Sequence, residues 1–200
     1  DWAQACAGAR AVPAGDDAAA RAFLERALVP VAITNNGNAE GLFTGYYEPE
    51  FPGALKASER FPTPLLAMPD TLPNPAPDRA AIEAGLFAGR GLELVWMNPI
   101  DAFFTHIQGS ARIRLPDNSM VRVNFAGRNG YPFTPVGRAL VERKILTREQ
   151  ANMQSIRAWL EANPKLAPSL MQENKSYIFF RFDKGRPESD GPMGAQRVPL

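Results

Sequence analysis

Apolar residues recur at helical spacing along several stretches of the chain. The first stretch covers residues 17–28, follows Asp16, whose carboxylate suits a helix N-terminus, and stops before Pro30. Similar spacing, with a capping residue or a proline at the start, predicts further helices at residues 78–87, 100–107, 136–144 and 147–162. We expect the last of these to begin at Thr147, because Gln150 stands at the distance of a capping box.

Alternation of apolar and polar residues is clearest at residues 111–115 and 120–125. The turn residues PDNS separate these two runs, so together they predict a β-hairpin. One face of it carries Ile113, Val121, Val123 and Phe125, and the other carries Arg112, Arg114, Arg122 and Asn124. Further strands are predicted at residues 41–49, 92–97 and 176–182, with an edge strand at residues 63–68. The prolines between residues 49 and 77 predict loops around that edge strand.

These elements indicate an α+β chain whose short, mostly antiparallel strands form a barrel or a sandwich rather than a doubly wound sheet. The composition is typical of a globular protein of one or two domains, with 200 residues, 45% of them hydrophobic, and a net charge of +1. Domains that bind nucleic acid through phosphates usually carry a strong positive excess. The nearly balanced charge therefore argues against that class.

The chain contains one histidine, His106, and one cysteine, Cys6. A zinc site normally needs three or four such ligands, so we expect neither a metal nor another cofactor. His106 stands between apolar residues and is expected to be hydrogen-bonded and partly buried rather than catalytic. Cys6 fits either a disulfide with an upstream partner, as in a periplasmic protein, or a free thiol.

Polar and aromatic residues cluster beside glycines at three places: Thr44-Gly45-Tyr46-Tyr47, Gln108-Gly109-Ser110 and Asn129-Gly130-Tyr131. Glycine lets the backbone approach a ligand closely, while amides, hydroxyls and aromatic faces suit the hydroxyls and ring faces of a sugar. An uncharged carbohydrate groove is one hypothesis, and tight turns plugged by aromatic side chains are the other. The arginine face of the hairpin likewise fits either ordinary solvent exposure or an anionic partner.

Six ordered motifs resemble those of the membrane-bound lytic murein transglycosylase A (MltA) family. They lie at residues 43–49 (FTGYYEP), 96–110 (WMNPIDAFFTHIQGS), 125–133 (FAGRNGYPF), 153–164, 174–180 (NKSYIFF) and 191–200. The resemblance implies a fold that is mainly β with short helices, a partial double-psi β-barrel with a second, smaller β-rich domain inserted. Residues 1–50 and 174–200 are then expected in the barrel, and residues 51–173 in the insert.

The resemblance also implies a reaction. Enzymes of this family cleave the β-1,4 bond between N-acetylmuramic acid and N-acetylglucosamine without water and leave a 1,6-anhydro-muramic acid end. The C6 hydroxyl of the sugar is the nucleophile, so a single acid that later acts as base suffices, whereas ordinary glycosidases need two carboxylates. The resemblance places that acid, an aspartate, beyond Leu200, so no catalytic residue is assigned within the chain.

We therefore expect a lyase that acts on peptidoglycan glycan strands as a monomer in the periplasm, with no cofactor, no nucleic acid and an outer-membrane lipid anchor upstream of residue 1. The expected groove walls are Thr44, Tyr46, Tyr47, Gln108, Ser110, Asn129 and Tyr131. Two other hypotheses stay open. One is a glycan-binding module without catalysis, and the other is single-stranded nucleic-acid binding through the arginines of the hairpin.

Overall fold

A computed structural model describes residues 2–34, 36–41 and 47–184, and the chain divides into two compact units, Asp1–Gly45 and Tyr46–Leu200. The first unit contains α1 (Trp2–Arg10) and α2 (Asp17–Ala27). The Asp16 carboxylate accepts a hydrogen bond from the Ala19 amide at 2.9 Å, which confirms the predicted cap of α2. The Phe23 ring of α2 packs so closely on Gly8 that a Cβ there would come within 2.8 Å of it.

The second unit contains a six-stranded mixed sheet with the strand order β2-β3-β1-β4-β5-β6. The strands are β1 (Glu50–Ala54), β2 (Thr63–Leu66), β3 (Glu93–Met97), β4 (Ser110–Arg114), β5 (Met120–Arg128) and β6 (Ile178–Phe182). Neighbouring strands are antiparallel except β1 and β4, which are parallel. The predicted hairpin is β4–β5, with Ile113 opposite Val121, and the predicted edge strand is β2.

The same unit contains several short helices. They are α3 (Arg79–Ala81), which continues as a π-helical turn (Ile82–Leu86), α4 (Pro99–Gln108), α5 (Val136–Glu142), α6 (Met153–Ala162) and α7 (Ala167–Gln172). The Asn98 side chain caps α4 by accepting from the Ile100 amide at 2.9 Å, and Gly109 ends it with a φ of 80°. Among the residues that the structure describes, no helix is both long and apolar enough to span a membrane.

The core is built around α4, whose residues 101–106 are all buried. Ala102 packs against the sheet core, which includes Val95, Ile113 and Val123. The next two residues, Phe103 and Phe104, point to a second cluster formed with α5, α6 and α7. One short helix thus joins the sheet to the helical layer, because its apolar residues surround the helix instead of forming one stripe.

Strand β1 corrects the prediction that the proline-rich stretch from residue 51 forms loops. Residues 50–52 pair with β4 and residues 53–54 pair with β3, so Pro52 stands where the strand changes neighbours. A Cβ on Gly53 would lie 2.5 Å from Ile113 and 3.0 Å from the Trp96 carbonyl oxygen. Pro52 and Gly53 therefore permit a tight crossing inside the sheet, which local composition does not reveal.

The predicted start of α6 is wrong, although its capping box forms. The Thr147 amide donates to Gln150 Oε1 at 3.0 Å, and the Gln150 amide donates to Thr147 Oγ1 at 3.3 Å. These bonds close an isolated turn, and α6 begins only at Met153. The Asn152 side chain caps it by accepting from the Ser155 amide at 3.0 Å.

At the level of fold class, the structure shows a mixed β-sheet with short helices, as the sequence predicts. The edge strands approach each other at one bridge, between Ala67 and Phe180, and within the described residues the sheet is not closed. Strand β6, which the predicted division assigns to a barrel, pairs with β5 in the same sheet as the other strands. The division into barrel and insert stays a prediction.

Candidate functional site

Two surface cavities in the second unit share the side chain of Met153. One, of about 460 Å³, is lined by residues 47–52 together with Asp101, Met153 and Arg157. The other, of about 630 Å³, is lined by parts of α4, α5 and α6 and includes Gln108 and Phe133. Because Met153 belongs to both walls, we treat the two cavities as one depression and call it the Met153 groove.

Tyr47 lies at one end of the Met153 groove. Its side chain is 52% exposed, and its hydroxyl donates to the Met153 sulfur at 3.4 Å. The contact holds the ring against the wall while part of its surface stays in solvent. A fixed, exposed aromatic ring is suited to stacking on the apolar face of a sugar, as the sequence predicts for this residue.

An ion pair forms the wall beside Tyr47. Arg157 Nη2 lies 2.7 Å from Asp101 Oδ1, and the Arg157 guanidinium stacks over the rings of Phe51 and Phe104 with centroid distances of 5.6 and 4.9 Å. Asp101 is only 8% exposed. Because the two charges neutralise each other, this wall presents hydrogen-bonding groups without a net charge, which suits an uncharged glycan.

The opposite end of the Met153 groove combines an amide with an aromatic ring. Gln108 is the last residue of α4, and its exposed amide can both donate and accept hydrogen bonds. Phe133 is 53% exposed and lines the same cavity. Tyr47 and Phe133 thus each provide an exposed aromatic face, one in each of the two cavities.

Asn129 lies elsewhere and is bound to backbone. It is 3% exposed, and its Nδ2 donates to the carbonyl oxygens of Pro77 and Lys175, both at 2.9 Å. Its Oδ1 accepts from the Tyr177 amide at 2.9 Å. This amide ties three chain segments together, so in this conformation it faces backbone rather than a glycan.

Tyr131 is also directed away from the Met153 groove. Its side chain is half-buried, and its hydroxyl donates to the Ala76 carbonyl oxygen at 3.2 Å. Neither Tyr131 nor Asn129 belongs to the lining of the groove in the described part of the chain. The structure therefore places these two predicted residues together, beside residues 76–77, and not with Tyr47 and Gln108.

Ser110 lies on the polar face of the sheet. It is the first residue of β4, is partly buried, and stands opposite Asn124 of β5. Asn124 Nδ2 in turn donates to Asp183 Oδ2 at 2.6 Å. Thr44 and Tyr46, the two remaining predicted residues, lie outside the described residues.

The arginines of this polar face are paired with carboxylates, which corrects the interpretation of a simple solvated face. Arg122 Nε lies 2.9 Å from Glu48 Oε2, and these two side chains are only 6% and 3% exposed. Glu50 accepts from Arg114 Nε at 2.9 Å and lies 3.7 Å from Arg112 Nη2. The pairing offsets the positive charge that a nucleic-acid strand would need.

His106 is buried, as predicted, with 6% of its surface exposed. Its Nδ1 accepts a hydrogen bond from the Ile178 amide at 3.3 Å, and its ring packs on Tyr177 with a centroid distance of 4.3 Å. Burial, and secondarily the charge of Arg79, lowers the pKa of the His106 imidazole well below its usual value. The histidine is therefore neutral in the folded protein at pH 7.

This environment predicts that stability falls in mild acid. In the unfolded chain, His106 gains a proton as the pH drops below about 6.5, whereas in the folded protein its lowered pKa keeps it neutral. The unfolded state then binds more protons, so the free energy of unfolding should fall by up to about 1.4 kcal/mol per pH unit. Urea denaturation between pH 7.5 and about 5.5, above the range where most carboxylates titrate, measures this slope.

His106→Asn provides the control for that slope. Its amide oxygen can still accept from the Ile178 amide, but the side chain does not titrate. Because His106 is the only histidine of the chain, the slope between pH 7.5 and 5.5 should disappear in this variant even if its overall stability is lower. A slope that persists would show that another group causes it.

Residues 42–181 match a family model described as the MltA specific insert domain. The chain belongs to the MltA family. Among curated relatives, membrane-bound lytic murein transglycosylase A of Vibrio cholerae is 31% identical over 178 residues, which are 86% of this chain and 47% of that protein. The Escherichia coli protein of the same name is 32% identical over 169 residues, 83% of this chain and 44% of that protein.

Solved MltA structures resemble the model of this chain. MltA from Neisseria gonorrhoeae in its monoclinic form has a TM-score of 0.80 at 29% identity and covers all of this chain and 62% of its own. Escherichia coli MltA with bound chitohexaose has a TM-score of 0.69 at 29% identity over 78% of this chain and 46% of its own. The chain spans about half the length of the curated MltA relatives that it matches.

Three residues of the Met153 groove, Asp101, Phe133 and Arg157, are not among the seven residues that the sequence predicts for the groove walls. Asp101 and Phe133 lie inside the matched motifs, and Arg157 lies in the motif of residues 153–164. The aromatic cluster at residues 131–133 offered a signal, but the sequence does not say which of its two rings faces outward. The role of Arg157 depends on its contact with α4, which only the folded chain brings about.

Proposed function

We propose that the protein takes part in lytic transglycosylase action on peptidoglycan, and that the Met153 groove holds a glycan strand. The observation that carries this proposal is the presence of two predicted residues, Tyr47 and Gln108, in adjoining cavities of an MltA-family chain. Exposed aromatic faces together with hydrogen-bonding side chains suit sugar rings bearing hydroxyl and N-acetyl groups. The chitohexaose bound in Escherichia coli MltA is a glycan of that chemistry.

The proposed reaction follows the course implied by the family resemblance. The β-1,4 bond between N-acetylmuramic acid and N-acetylglucosamine breaks as an acid protonates the leaving oxygen. The C6 hydroxyl then closes the 1,6-anhydro ring and returns a proton to the same group. We assign this role to no described residue, and place it on the aspartate that the resemblance puts beyond Leu200. A groove that lies between a double-psi β-barrel and the inserted domain, a periplasmic location, an outer-membrane anchor and a monomeric state belong to the same proposal.

Digestion of purified peptidoglycan sacculi tests the proposed activity. Released muropeptides are analysed by mass spectrometry, and the expected products are lighter by one water than their hydrolysed counterparts. Sacculus binding without any product would instead support the second candidate, a glycan-binding module without catalysis. Products of ordinary hydrolysis would contradict the proposed reaction.

A variant of Tyr47 tests the groove itself. Tyr47→Ala removes an exposed aromatic face and should weaken binding of chitohexaose by roughly 2- to 10-fold, because aromatic stacking contributes about 0.5–1.5 kcal/mol. Thermal unfolding should change little, because the hydroxyl makes only a long contact to sulfur. Titration calorimetry measures the binding.

Trp2→Ala is the matched control, because Trp2 is an exposed aromatic residue of α1 with 78% of its surface in solvent. This variant should bind chitohexaose as the unaltered chain does. Equal loss of binding in both variants, or loss of binding together with folding in Tyr47→Ala, would refute the groove assignment.

A further inference from the structure

A third cavity lies apart from the Met153 groove, between the π-helical turn that follows α3, helix α4 and the edge strand β2. It has a volume of about 340 Å³ and is lined mainly by apolar and aromatic side chains, including Phe87, Phe103 and Trp96. No residue of the Met153 groove belongs to its lining in the described part of the chain. Its size and composition are those of a small-molecule site.

Two buried polar side chains face this cavity. His106 and Tyr177 line it and are 6% and 3% exposed. His106 Nδ1 accepts from the Ile178 amide, so the neutral imidazole carries its proton on Nε2. Within residues 2–34, 36–41 and 47–184, neither this Nε2 nor the Tyr177 hydroxyl has a hydrogen-bond partner. Both atoms are therefore open to the cavity and available to hydrogen-bond a ligand there.

The charges around the cavity favour a cation. Glu83 and Glu93 both line it, but Glu83 already pairs with Arg79, whose Nη1 lies 3.1 Å from Glu83 Oε1. Glu93 is half-buried and, in the described part of the chain, forms no ion pair or hydrogen bond through its side chain. One carboxylate of the lining therefore remains unbalanced, and the indole of Trp96, the aromatic ring that attracts cations most strongly, belongs to the same lining.

We propose that this cavity binds a small organic cation, a primary ammonium on a ring-sized apolar body that also carries a hydroxyl group. The ammonium pairs with Glu93 and lies against Trp96, and the hydroxyl exchanges hydrogen bonds with His106 Nε2 and the Tyr177 hydroxyl. Aromatic and proline side chains of the wall cover the apolar body. The proposal is independent of the glycan function, because the two sites share no described residue.

The single histidine provides a direct measurement of binding. Its imidazole proton signals are unique in a nuclear magnetic resonance spectrum of the full chain, since no other histidine is present. Tyramine, which has a ring, a hydroxyl and an ammonium group, is the probe. 4-Ethylphenol and 3-(4-hydroxyphenyl)propionate are its neutral and anionic counterparts of similar shape.

Tyramine should shift the His106 signals in a saturable way, with the neutral phenol weaker and the anion weakest. This series uses the unaltered chain, so it decides the proposal without any variant. The proposal is overturned if tyramine at millimolar concentration leaves the His106 signals unchanged, or if the anion binds as tightly as tyramine.

Glu93→Gln locates the charge interaction. This variant should weaken tyramine binding about tenfold or more and leave 4-ethylphenol binding unchanged, because a hydrogen bond to a charged group is lost and the rest of the cavity is kept. The matched control is Glu59→Gln, which neutralises an exposed carboxylate outside the cavity lining and should bind tyramine normally. Equal affinity in Glu93→Gln and the unaltered chain would overturn the role of Glu93.

Discussion

Arg79→Met is expected to lower the free energy of unfolding by about 3–5 kcal/mol. Arg79 is 1% exposed, and its Nε and Nη2 donate to the carbonyl oxygens of Asn174 and Ser176 at 2.9 and 2.6 Å. Its Nη1 pairs with Glu83 at 3.1 Å. Methionine fills much of the same space but leaves both carbonyl oxygens without their donor and removes the ion pair of Glu83, and buried carbonyl groups are costly to leave unpaired.

Arg79 also connects two parts of the fold. Its guanidinium stacks over the rings of Phe103 and Tyr177, with centroid distances of 5.2 and 5.3 Å, while its hydrogen bonds hold the chain that leads into β6. The loss should therefore affect the entry of β6 as well as α3. Arg79→Lys keeps the charge but not the forked donors, so we expect an intermediate loss.

Urea denaturation followed by circular dichroism measures both Arg79 variants. The matched control is Arg138→Met, because the side chain of Arg138 is 69% exposed and, among the described residues, forms an ion pair only with Glu142, at 3.2 Å on the same helix. That surface pair should contribute less than about 0.5 kcal/mol. Similar losses in Arg79→Met and Arg138→Met would show that the buried contacts do not stabilise the fold as described.

Asn129→Asp is expected to destabilise the protein by about 2–5 kcal/mol, although the two side chains have nearly the same shape. The carboxylate can still accept from the Tyr177 amide. Its second oxygen would then face the carbonyl oxygens of Pro77 and Lys175, which now accept from Nδ2. The substitution thus replaces the Nδ2 donor with a buried, negatively charged oxygen that faces two carbonyl oxygens. A buried charge without a partner is strongly unfavourable.

The Asn129 variant separates the two hypotheses for this residue. If Asn129 has a structural role, Asn129→Asp should lose much of its stability. If Asn129 binds glycan, the variant should bind chitohexaose more weakly and keep a normal free energy of unfolding. The control is Gln154→Glu, the same chemical change at an exposed position of α6, where we expect a change within about 0.5 kcal/mol. Near-normal stability of Asn129→Asp would contradict the structural role.

Local sequence signals predicted most elements correctly because their causes are local. α4 begins at an Asn98 cap followed by a proline and ends at a left-handed glycine, all of which are legible in the sequence. The β4–β5 hairpin follows from alternation and a polar turn.

Helices α1 and α7 were not predicted, and neither was β1, whose Pro52 and Gly53 are usual in loops. β1 exists because β3 and β4 offer it partners from distant parts of the chain.

In the candidate site, too, the sequence predicted what has a local cause and missed what depends on contacts between distant residues. The motifs identified the MltA family and pointed to seven residues, but they did not distinguish a ring that faces solvent from one that packs inward. Tyr47 and Gln108 line adjoining cavities, whereas the side-chain amide of Asn129 forms hydrogen bonds with the backbone of residues 77, 175 and 177. Both outcomes are compatible with the same local pattern of glycine, amide and aromatic residue.

Caps, turns, periodicity and ordered motifs are local properties, so the amino-acid sequence was enough to predict the types of most elements, the family and the chemistry of the available groups. Which polar side chains stay exposed and which are bound to protein depends on the folded arrangement. Arg122 of β5 and Glu48, which precedes β1, are buried together, and Arg157 reaches Asp101 across 56 positions of sequence. Whether a side chain is buried depends on what packs over it, and residues distant in sequence supply that cover.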